Sequence, residues 1–482
     1  MIAYIRKKIQ DKKILILGFG REGKSTLRVL LEAGGAKEIA IGDVKELSLA
    51  GLKETDEALA GADLSDIVLH CGPDYQQAID SYDLVMKSPG IVLEKPVETY
   101  RAQIVSQMQL VFEVYRDRII GITGTKGKST TTTLLHHILK KAGVPAVLAG
   151  NIGIPVFDVL DQLTEDSVLV LELSCHQLEY MTVSPKWGIL LNIYEEHLDH
   201  YGTMEKYVAS KEKIYVNQKA GDVLYVHPSV APGAGRHSGK CVYVHEVDIK
   251  QQQRMPEKQQ RMPENEQASE VLLEDEKIIY GAREYDIPVQ QISLLGTHNY
   301  LDIAFVYGIC CDLGISDAQF GEGLGSYVPL PHRLQFIGTV DGVAYYDDSI
   351  STIDETTIQA LNTIGNADTV LIGGMDREIS YVNLEKYLSD SPVAHIILME
   401  ATGRRIYEEI CRNMPDFHGK DRLYVVEHLE DAVKLAKEIT AKGGSCILSP
   451  AAASYGIFRN FEERGDCFRE LVLGQKENPA EL

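Results

Sequence analysis

The chain has 482 residues and a formal net charge of −22. Such an excess of carboxylates argues against general binding to nucleic acid or to anionic membranes, because both attract Lys and Arg. The length exceeds what one hydrophobic core supports, so about two to four domains are expected. We therefore expect a protein that acts on small molecules and has neither a nucleic-acid nor a membrane partner. We also expect a monomer, although neither charge nor length bears on the oligomeric state.

The N-terminal sequence MIAYIRKKIQ lacks the apolar segment and small-residue cleavage site of a signal peptide. No run of about 18 apolar residues occurs anywhere in the chain. The 8 cysteines form no C-x-x-C pair and have no histidine at zinc-finger spacing. These features predict a cytoplasmic protein with reduced thiols.

The first predicted strand, Ile14 to Leu17, is followed by a glycine-rich turn with Gly18, Gly20 and Gly23. Asp43 comes twenty residues after the last glycine of this G-x-G-x-x-G pattern. The pattern allows a diphosphate to approach a helix N-terminus closely. The diphosphate could belong to NAD or to a nucleotide sugar, and a purely structural turn is a third interpretation.

A second glycine-rich loop follows the apolar residues Ile119 and Ile120 and precedes a predicted helix. Its glycine spacing is shorter than in the general G-x-x-x-x-G-K-[ST] pattern, but it has the glycines, lysine and hydroxyls of a phosphate-binding loop. We predict that it binds ATP, with Lys128 on the terminal phosphates and a hydroxyl on Mg²⁺. The loop consists of Gly124, Thr125, Lys126, Gly127, Lys128, Ser129 and Thr130.

Two further strand ends carry polar groups that suit phosphate chemistry. Glu172 follows the run Val168 to Leu171, where a carboxylate can hold Mg²⁺. His197 follows the run Ile189 to Leu191 and suggests a second metal position or an acid–base group, although a surface histidine fits the spacing equally well.

Apolar runs alternate with helical patterns throughout, which is typical of α/β folds with parallel sheets. We predict three domains: a Rossmann-like domain at 1–116, a central phosphate-loop ATPase domain with a mostly parallel sheet at 117–330, and a Rossmann-like domain at 331–482. Pro329 and Pro331 mark the second boundary. The repeated QQRMPE within 252–264 reads as a surface insertion without chemistry.

Taken together, nine motifs in order resemble the Mur ligases, and within them the members that add D-glutamate to UDP-N-acetylmuramoyl-L-alanine. The motifs span nearly the whole chain: G-T-x-G-K-S-T (124–130), A-G-N-I-G (149–153), L-E-L-S-x-x-Q-L-E (171–179), L-N-x-x-x-x-H-L-D (191–199), S-K-x-x-I (210–214), G-x-H-N (296–299), P-H-R (331–333), D-S (348–349) and L-S-P-A-x-A-S (448–454). The resemblance implies a cytoplasmic peptidoglycan precursor ligase that activates a carboxylate as an acyl phosphate with ATP and Mg²⁺.

The resemblance also implies site residues. Lys128, His197 and Lys211 would be catalytic, and Lys211 would be carbamylated to ligate metal with Ser129, Glu172 and His197. ATP would additionally meet Asn299, Arg333 and Asp348. The UDP-substrate would meet Gly18, Gly20, Gly23, Asp43, Ser88, Pro89, Gly90 and Asn151, and glutamate would meet Thr352, Arg377, Ser454 and Phe461.

One position departs from the family pattern. Ile350 stands where a lysine usually follows the D-S motif, near the amino-acid end of the site. We hypothesise that Arg377 or Arg333 supplies the missing charge. Ligation of L-glutamate is therefore an alternative, and an ATP-binding regulator without ligase activity and a nicotinamide-dependent oxidoreductase are two further ones. The N-terminal unit ahead of the phosphate loop argues against a folylpolyglutamate synthase.

Overall fold

The computed structural model describes residues 1–54, 56–233, 235–247, 269–294, 296–377 and 379–474. The QQRMPE repeat lies outside these ranges. The chain forms two compact units: unit 1 comprises Met1–Gln291 and Tyr300–Tyr327, and unit 2 comprises Ile292–Asn299 and Val328–Leu482. The domain boundaries at 116/117 and 330/331 stay predictions.

Unit 1 contains two sheets. The first has five parallel strands in the order β3-β2-β1-β4-β5, namely β1 Lys13–Leu17, β2 Glu38–Asp43, β3 Val68–Cys71, β4 Leu84–Lys87 and β5 Gln103–Val105. Helices α1 Ile2–Ile9, α2 Arg21–Ala33, α3 Leu49–Glu54 and α4 Gln107–Tyr115 accompany it. The central strand β1 reads KILIL and is buried along four of its five residues, which explains its continuous apolar sequence.

The second sheet of unit 1 has nine strands in the order β14-β13-β12-β11-β10-β9-β6-β8-β7. Its strands are β6 Ile119–Thr123, β7 Ala146–Gly150, β8 Val168–Glu172, β9 Trp187–Leu190, β10 Val223–Val226, β11 Lys240–Glu246, β12 Ser269–Glu274, β13 Lys277–Tyr280 and β14 Arg283–Asp286. Pairing is parallel from β7 to β12 and antiparallel from β12 to β14. Its helices are α5 Lys128–Lys141, α6 Cys175–Leu178, α7 Leu198–Tyr201, α8 Met204–Glu212, α9 Thr297–Asp312 and α10 Asp317–Gly325.

The sheet of unit 2 has six strands in the order β15-β16-β20-β17-β18-β19, and only the edge strand β15 is antiparallel. The strands are β15 Gln335–Val340, β16 Val343–Asp347, β17 Ala367–Gly373, β18 His395–Met399, β19 Leu423–Val426 and β20 Ser445–Leu448. The helices are α11 Asp354–Thr363, α12 Val382–Asp390, α13 Glu400–Asn413, α14 Leu429–Ile439 and α15 Phe461–Leu473.

The predicted α/β class with mostly parallel sheets is confirmed. The apolar runs at 14–17, 168–171, 189–191, 370–372, 396–398 and 446–448 form strands as expected, in β1, β8, β9, β17, β18 and β20, and only Leu191 lies just beyond its strand. Strand β6 lies between β9 and β8, so the loop that follows it opens at the carboxyl edge of the sheet, where ligands bind in such folds. Among the described helices, none is both long and apolar enough to span a membrane.

Candidate active site

The predicted phosphate loop runs from the end of β6 to the start of α5 at Lys128. Gly127 caps the helix in the left-handed conformation, with φ +82°. A Cβ at this position would also lie 2.7 Å from Asp302 Oδ1, so the backbone and its surroundings both require glycine. The loop therefore delivers backbone N–H groups and the positive end of a 14-residue helix to one point.

Asn192 holds the loop in this shape. Its Oδ1 accepts hydrogen bonds from the backbone N–H groups of Thr125 at 3.1 Å and Lys126 at 2.8 Å, and its Nδ2 donates to Lys126 O at 3.2 Å. Asn192 follows β9, the strand next to β6, so the contact spans two adjacent strand ends. The asparagine stood in the sequence motif, but nothing in the sequence predicted that it would clamp the loop.

The two lysines of the loop have different partners. Lys126 Nζ lies 3.1 Å from Glu196 Oε1 on the loop after β9. Lys128 Nζ donates to the carbonyl of Thr125 at 2.8 Å, within the loop itself. Burial lowers the pKa of Lys128, and the charges of Glu172 and Glu196 partly oppose that effect. An ammonium folded against its own loop can extend to a bound phosphate without leaving the site.

Glu172 ends β8 and is buried, with 2% of its surface exposed. Its Oε1 accepts a hydrogen bond from Asn151 Nδ2 at 2.8 Å. Its Oε2 is also buried and has no hydrogen-bond partner among the residues that the structure describes. A buried carboxylate oxygen without a donor is unfavourable alone and suits a cation, so Glu172 fits the predicted Mg²⁺ ligand.

Asn151 was predicted to contact the UDP-substrate. Its backbone N–H also bonds to the carbonyl of Glu172, at 2.9 Å, so the residue is fixed to the end of β8 through both backbone and side chain. The structure thus gives Asn151 an orienting contact with Glu172 that the sequence did not predict.

Lys211 on α8 is almost completely buried, with 1% exposed. Its Nζ donates to Gly124 O at 2.8 Å and lies 4.9 Å from the centre of the Tyr207 ring. Burial lowers the pKa of Lys211 to about 7, and the charge of Lys128 acts in the same direction. A substantial fraction of the amine is therefore neutral near neutral pH, and the neutral amine is the form that can react with CO₂.

His197 lies at the start of α7 in the left-handed conformation, with φ +58°. Its ring is 6.0 Å from that of Tyr207, and its Nε2 is 3.7 Å from Glu196 Oε2. Tyr207 OH in turn lies 3.0 Å from Thr125 Oγ1. His197 therefore belongs to the wall of the phosphate loop, on the side where Tyr207 also contacts Lys211.

The glycine-rich turn after β1 has the close packing that its sequence predicts. A Cβ on Gly23 would lie 2.2 Å from Gly18 O, and Gly18 itself has φ +89°. Ser88 Oγ donates to Gly18 O at 2.8 Å, which joins the turn to the Ser88-Pro89-Gly90 segment after β4. Gly20, the N-cap of α2, has open space around it.

Asp43 at the end of β2 also supports this turn. Its Oδ2 accepts from Phe19 N at 2.6 Å and its Oδ1 accepts from Lys45 N at 2.9 Å. Both oxygens are thus engaged by backbone groups, and a role toward a ligand remains a prediction.

The two sheets of unit 1 are joined close to these turns. Gln177 Nε2 donates to Glu22 Oε1 at 2.9 Å, from α6 to α2. Arg21 Nη1 donates to Gly153 O at 2.9 Å. Burial raises the pKa of Glu22, while the bond from Gln177 lowers it. The diphosphate turn and the strand end carrying Glu172 therefore belong to one continuous surface of unit 1.

In unit 2, Asp348 follows β16 and is buried in a hydrogen-bond network. Its Oδ2 accepts from Ser351 Oγ at 2.5 Å and Ser449 Oγ at 2.8 Å, and its Oδ1 accepts from Leu334 N at 3.1 Å. Burial raises the pKa of Asp348 to about 7, against the effect of these bonds. Its predicted contact with the ATP ribose would have to coexist with this network.

The segment before β15 is fixed by a buried ion pair. His332 Nδ1 lies 2.6 Å from Asp347 Oδ2, and a Cβ on Gly465 would approach that ring nitrogen to 2.1 Å. Burial lowers the pKa of His332, but Asp347 raises it more, so the net shift is upward. Arg333, predicted to meet ATP, follows this anchored histidine. Asn299, which is also predicted to meet ATP, lies in the first turn of α9.

The predicted glutamate-binding residues lie on loops at the carboxyl edge of the unit 2 sheet. Arg377 Nη2 donates to Thr352 O at 2.5 Å, which joins two of them. Ser454 follows β20 and is buried, and Phe461 begins α15, where its carbonyl accepts from Ser349 Oγ at 2.8 Å. The structure thus places all four on loops or element ends that leave the same edge of this sheet.

Arg464 on α15 donates hydrogen bonds to two of these loops. The sequence did not predict this role for Arg464. It is fully buried, its Nε donates to Ser349 Oγ at 3.0 Å, and its Nη2 donates to Ser349 O at 2.8 Å and Ala452 O at 3.0 Å. Its Nη1 has no hydrogen-bond partner within the described part of the chain. An F-x-x-R-G sequence at a helix start gave no signal for this arrangement.

Comparisons with known proteins agree with this geometry. The Mur ligase middle domain family matches residues 122–309. A UDP-N-acetylmuramoylalanine–D-glutamate ligase of Alkaliphilus metalliredigens is 32% identical over 472 residues, covering 96% of this chain and 98% of the relative. The ligase of the same name from Clostridioides difficile is 30% identical over 479 residues, covering 97% and 100%.

Solved structures share the fold. The UDP-N-acetylmuramate–alanine ligase MurC of Thermotoga maritima has a TM-score of 0.57 at 18% identity, covering 96% of this chain and all of that one. MurF of the same organism, solved in complex with ADP, has a TM-score of 0.53 at 14% identity, covering 97% of both chains.

The fold and the phosphate loop define an ATP-dependent ligase that forms amide bonds. A relative that is 32% identical over nearly its full length identifies the family within this class of ligases. It belongs to the Mur ligase family, in the group of UDP-N-acetylmuramoylalanine–D-glutamate ligases.

Proposed function

We propose that this chain joins D-glutamate to UDP-N-acetylmuramoyl-L-alanine in the cytoplasm, as a step of peptidoglycan precursor synthesis, and that a single chain carries the activity. The observation that carries the proposal is the buried Glu172 oxygen without a donor, at the strand end beside a glycine-rich loop. Full-length relatives that bear the name of this ligase support it.

The reaction needs two steps because a carboxylate is a poor electrophile. An oxygen of the L-alanyl carboxylate attacks the γ-phosphorus of ATP, which gives an acyl phosphate and ADP. The amine of glutamate then attacks the acyl carbon and loses a proton, and phosphate leaves as the amide forms. Negative charge accumulates on phosphate oxygens in the first step and on the tetrahedral intermediate in the second.

The loop amides of 124–130 and Lys128 bind the β- and γ-phosphates in this proposal. Ser129, in the first turn of α5, and Glu172 would hold Mg²⁺, which would screen the phosphate charge when bound. Lys211, if carbamylated at Nζ, and His197 would form a second metal position. The free ammonium of Lys211 would repel a cation, so its burial and lowered pKa support the modified form.

We assign the UDP-substrate to the turns after β1 and β4. The open space at Gly20, the N-cap of α2, leaves room for a diphosphate at the start of that helix. Asp43 and Ser88 hold these turns in shape. Asn151 completes this set directly after β7, the strand that pairs with the strand ending in Glu172.

Glutamate carries two carboxylates, so its pocket needs a cation and hydrogen-bond donors. Arg377, held by the carbonyl of Thr352, is the cation we assign, with Ser454 and Phe461 completing the pocket. Ile350 provides no charge at the position where the family has lysine. Asn299, Arg333 and Asp348 are assigned to ATP.

The decisive experiment measures phosphate release with ATP, Mg²⁺ and UDP-N-acetylmuramoyl-L-alanine, with D-glutamate and L-glutamate compared at matched concentrations. The expected result is release with D-glutamate alone. Release with L-glutamate alone would assign the chain to the alternative that Ile350 suggests. No release with either isomer, in protein that binds ATP, would favour a regulator.

The assignment of the glutamate cation has its own test. R377A should raise the KM for glutamate by roughly 10- to 100-fold, because a charge-assisted bond is lost, and leave the KM for ATP unchanged. R412A, which removes an exposed arginine of the same unit, is the control. An unchanged glutamate KM in R377A would leave Arg333 as the remaining candidate.

A further inference from the structure

A cluster of three potential metal ligands lies beside the phosphate loop, outside the residues assigned above. It consists of His176, Glu179 and His200, and we call it the His176 cluster. One ligand atom from each residue lies within 4.8 Å of the other two. All three side chains are partly buried. The proposed ligation reaction uses none of them.

The fold positions the cluster on two short helices. His176 and Glu179 are three residues apart at α6, so they share one face of the turn. A capping box of Ser174 and Gln177 fixes the start of that helix. His200 lies on α7, and its ring centre is 4.4 Å from that of His176. The ligands are therefore held by hydrogen-bonded backbone.

Ligand chemistry identifies the class of ion. Two imidazoles and one carboxylate suit Zn²⁺ and Co²⁺, whereas Mg²⁺ takes oxygen ligands almost exclusively. Zinc bonds of about 2.0–2.1 Å in a tetrahedron place ligand atoms roughly 3.4 Å apart. His200 Nε2 and Glu179 Oε2 are already 3.2 Å apart. The His176 ligand atom lies within 4.8 Å of the other two, so it has to move closer by at most about 1.4 Å to reach this spacing.

The hydrogen bonds within the cluster are compatible with that movement. His176 Nδ1 lies 3.5 Å from Tyr201 OH, a distance at the limit of a hydrogen bond. The Tyr201 ring stacks on the His176 ring, with 5.7 Å between centres, and supports its plane. A metal would replace a weak contact of His176 with a coordinate bond.

Access comes from a cleft of about 560 Å³ in unit 1, which Glu179 and His200 help to line. Three lysines, Lys95, Lys206 and Lys213, also line it. A three-ligand site leaves a fourth position open, as in catalytic zinc sites. Glu94 and Glu98 line the same cleft and offset the charge of the lysines, so the fourth ligand is expected to be water.

We propose that His176, Glu179 and His200 bind a divalent transition metal of the zinc class, with an open fourth position that faces this cleft. The site shares no ligand with the Mg²⁺ positions proposed above, but it lies next to the second of them, because the His176 ring is 5.1 Å from that of His197. A competing arrangement uses the same His176 with Cys175 and His197, whose ligand atoms also lie within 4.8 Å of one another.

Cobalt tests the proposal directly, because tetrahedral Co²⁺ absorbs visible light and Mg²⁺ does not. Purified full-length protein is titrated with Co²⁺ in saturating Mg²⁺ without nucleotide, and Zn²⁺ is then added to displace the absorption. We expect one equivalent of Co²⁺ with tetrahedral bands. H176F and H200Q should each weaken Co²⁺ binding by more than about 100-fold. Loss of a residue that only hydrogen-bonds to a metal ligand costs up to about 100-fold, so a larger loss indicates a direct ligand.

Three variants serve as controls. H428Q removes an exposed histidine of unit 2 and should bind Co²⁺ like the parent protein. C175S and H197Q should also retain the bands, because the competing arrangement alone needs those residues. Thermal unfolding of each variant with EDTA checks that the fold is intact. Absorption retained in H176F and H200Q, or lost in C175S and H197Q, would overturn the proposal.

Discussion

The side-chain amide of Asn151 donates to Glu172 Oε1 at 2.8 Å, while Glu172 Oε2 is buried without a donor among the described residues. The carboxylate is therefore oriented by one oxygen and available to a cation through the other. The two residues lie at the carboxyl ends of the adjacent strands β7 and β8. This arrangement makes the residue after β7 a supporting partner of the predicted metal ligand.

The first prediction concerns Glu172 itself. E172Q keeps the shape of the side chain and an oxygen that can accept from Asn151, but it removes the negative charge. Phosphate release should fall by about 10²–10³, because charge stabilisation in the transition state is lost. The apparent affinity for Mg²⁺ should weaken in the same assay. E165Q, at an exposed glutamate of unit 1, is the matched control, and an equal loss there would refute the assignment.

The second prediction separates two roles of Asn151. N151A removes the bond that orients Glu172, so the Mg²⁺ concentration giving half-maximal rate should rise by about 10-fold. Mg²⁺ dependence is measured at saturating UDP-substrate, which removes any effect of weaker substrate binding. A variant that changes only the KM for the UDP-substrate would show that Asn151 serves that ligand alone.

The third prediction concerns the clamp on the phosphate loop. N192A removes three hydrogen bonds to the loop, each contributing about 0.5–1.5 kcal/mol. The KM for ATP should therefore rise by at least about 10-fold. N192D, which keeps both accepted bonds, adds a negative charge near the phosphates and should be worse than N192A. If the KM for ATP were equal in the two variants, the hydrogen bonds of Asn192 would matter only for folding. The midpoint of unfolding of each variant would reveal such an effect.

Sequence reasoning captured the elements whose patterns are local. The strand runs, the glycine turns and Glu172 at a strand end all follow from short-range periodicity and backbone requirements. The contacts of Asn192 with Lys126 and of Arg464 with Ser349 join residues 66 and 115 positions apart, so they depend on which elements become neighbours. The order β9-β6-β8 brings Asn192 to the phosphate loop, and no local pattern encodes that order.

The fourth prediction concerns the buried guanidinium of Arg464. R464K keeps the charge but cannot reproduce the fork that reaches Ser349 and Ala452 together. Loss of about two bonds from a buried cation should lower the free energy of unfolding by about 2–4 kcal/mol. The KM for glutamate should rise, since both held loops border the assigned pocket. R459K, at an arginine whose side chain is 86% exposed, should change neither quantity.

The last prediction concerns the pH dependence of stability at Asp348. Burial raises the pKa of its carboxyl from 3.8 to about 7, and the neighbouring charge of Asp347 adds to that effect. Between about pH 4 and pH 7 the folded chain therefore retains a proton that the unfolded chain has released. The contribution of Asp348 to stability is thus fully present below about pH 4 and is lost as the pH rises through 7.

D348N tests this sign because an amide does not titrate. The asparagine oxygen can accept from Leu334 N, and its nitrogen can donate to the hydroxyls of Ser351 and Ser449, which keeps the network. Relative to the parent protein, D348N should gain stability as the pH rises from 4 to 7, by up to about 4 kcal/mol, since each pKa unit corresponds to about 1.4 kcal/mol. The measurement is urea unfolding of both proteins at pH 4 and pH 8. Asp354 and Glu385, whose pKa values are also raised, titrate in both proteins and cancel in the difference. A difference between the proteins that stays constant with pH would show that Asp348 is ionised in the folded chain throughout this range.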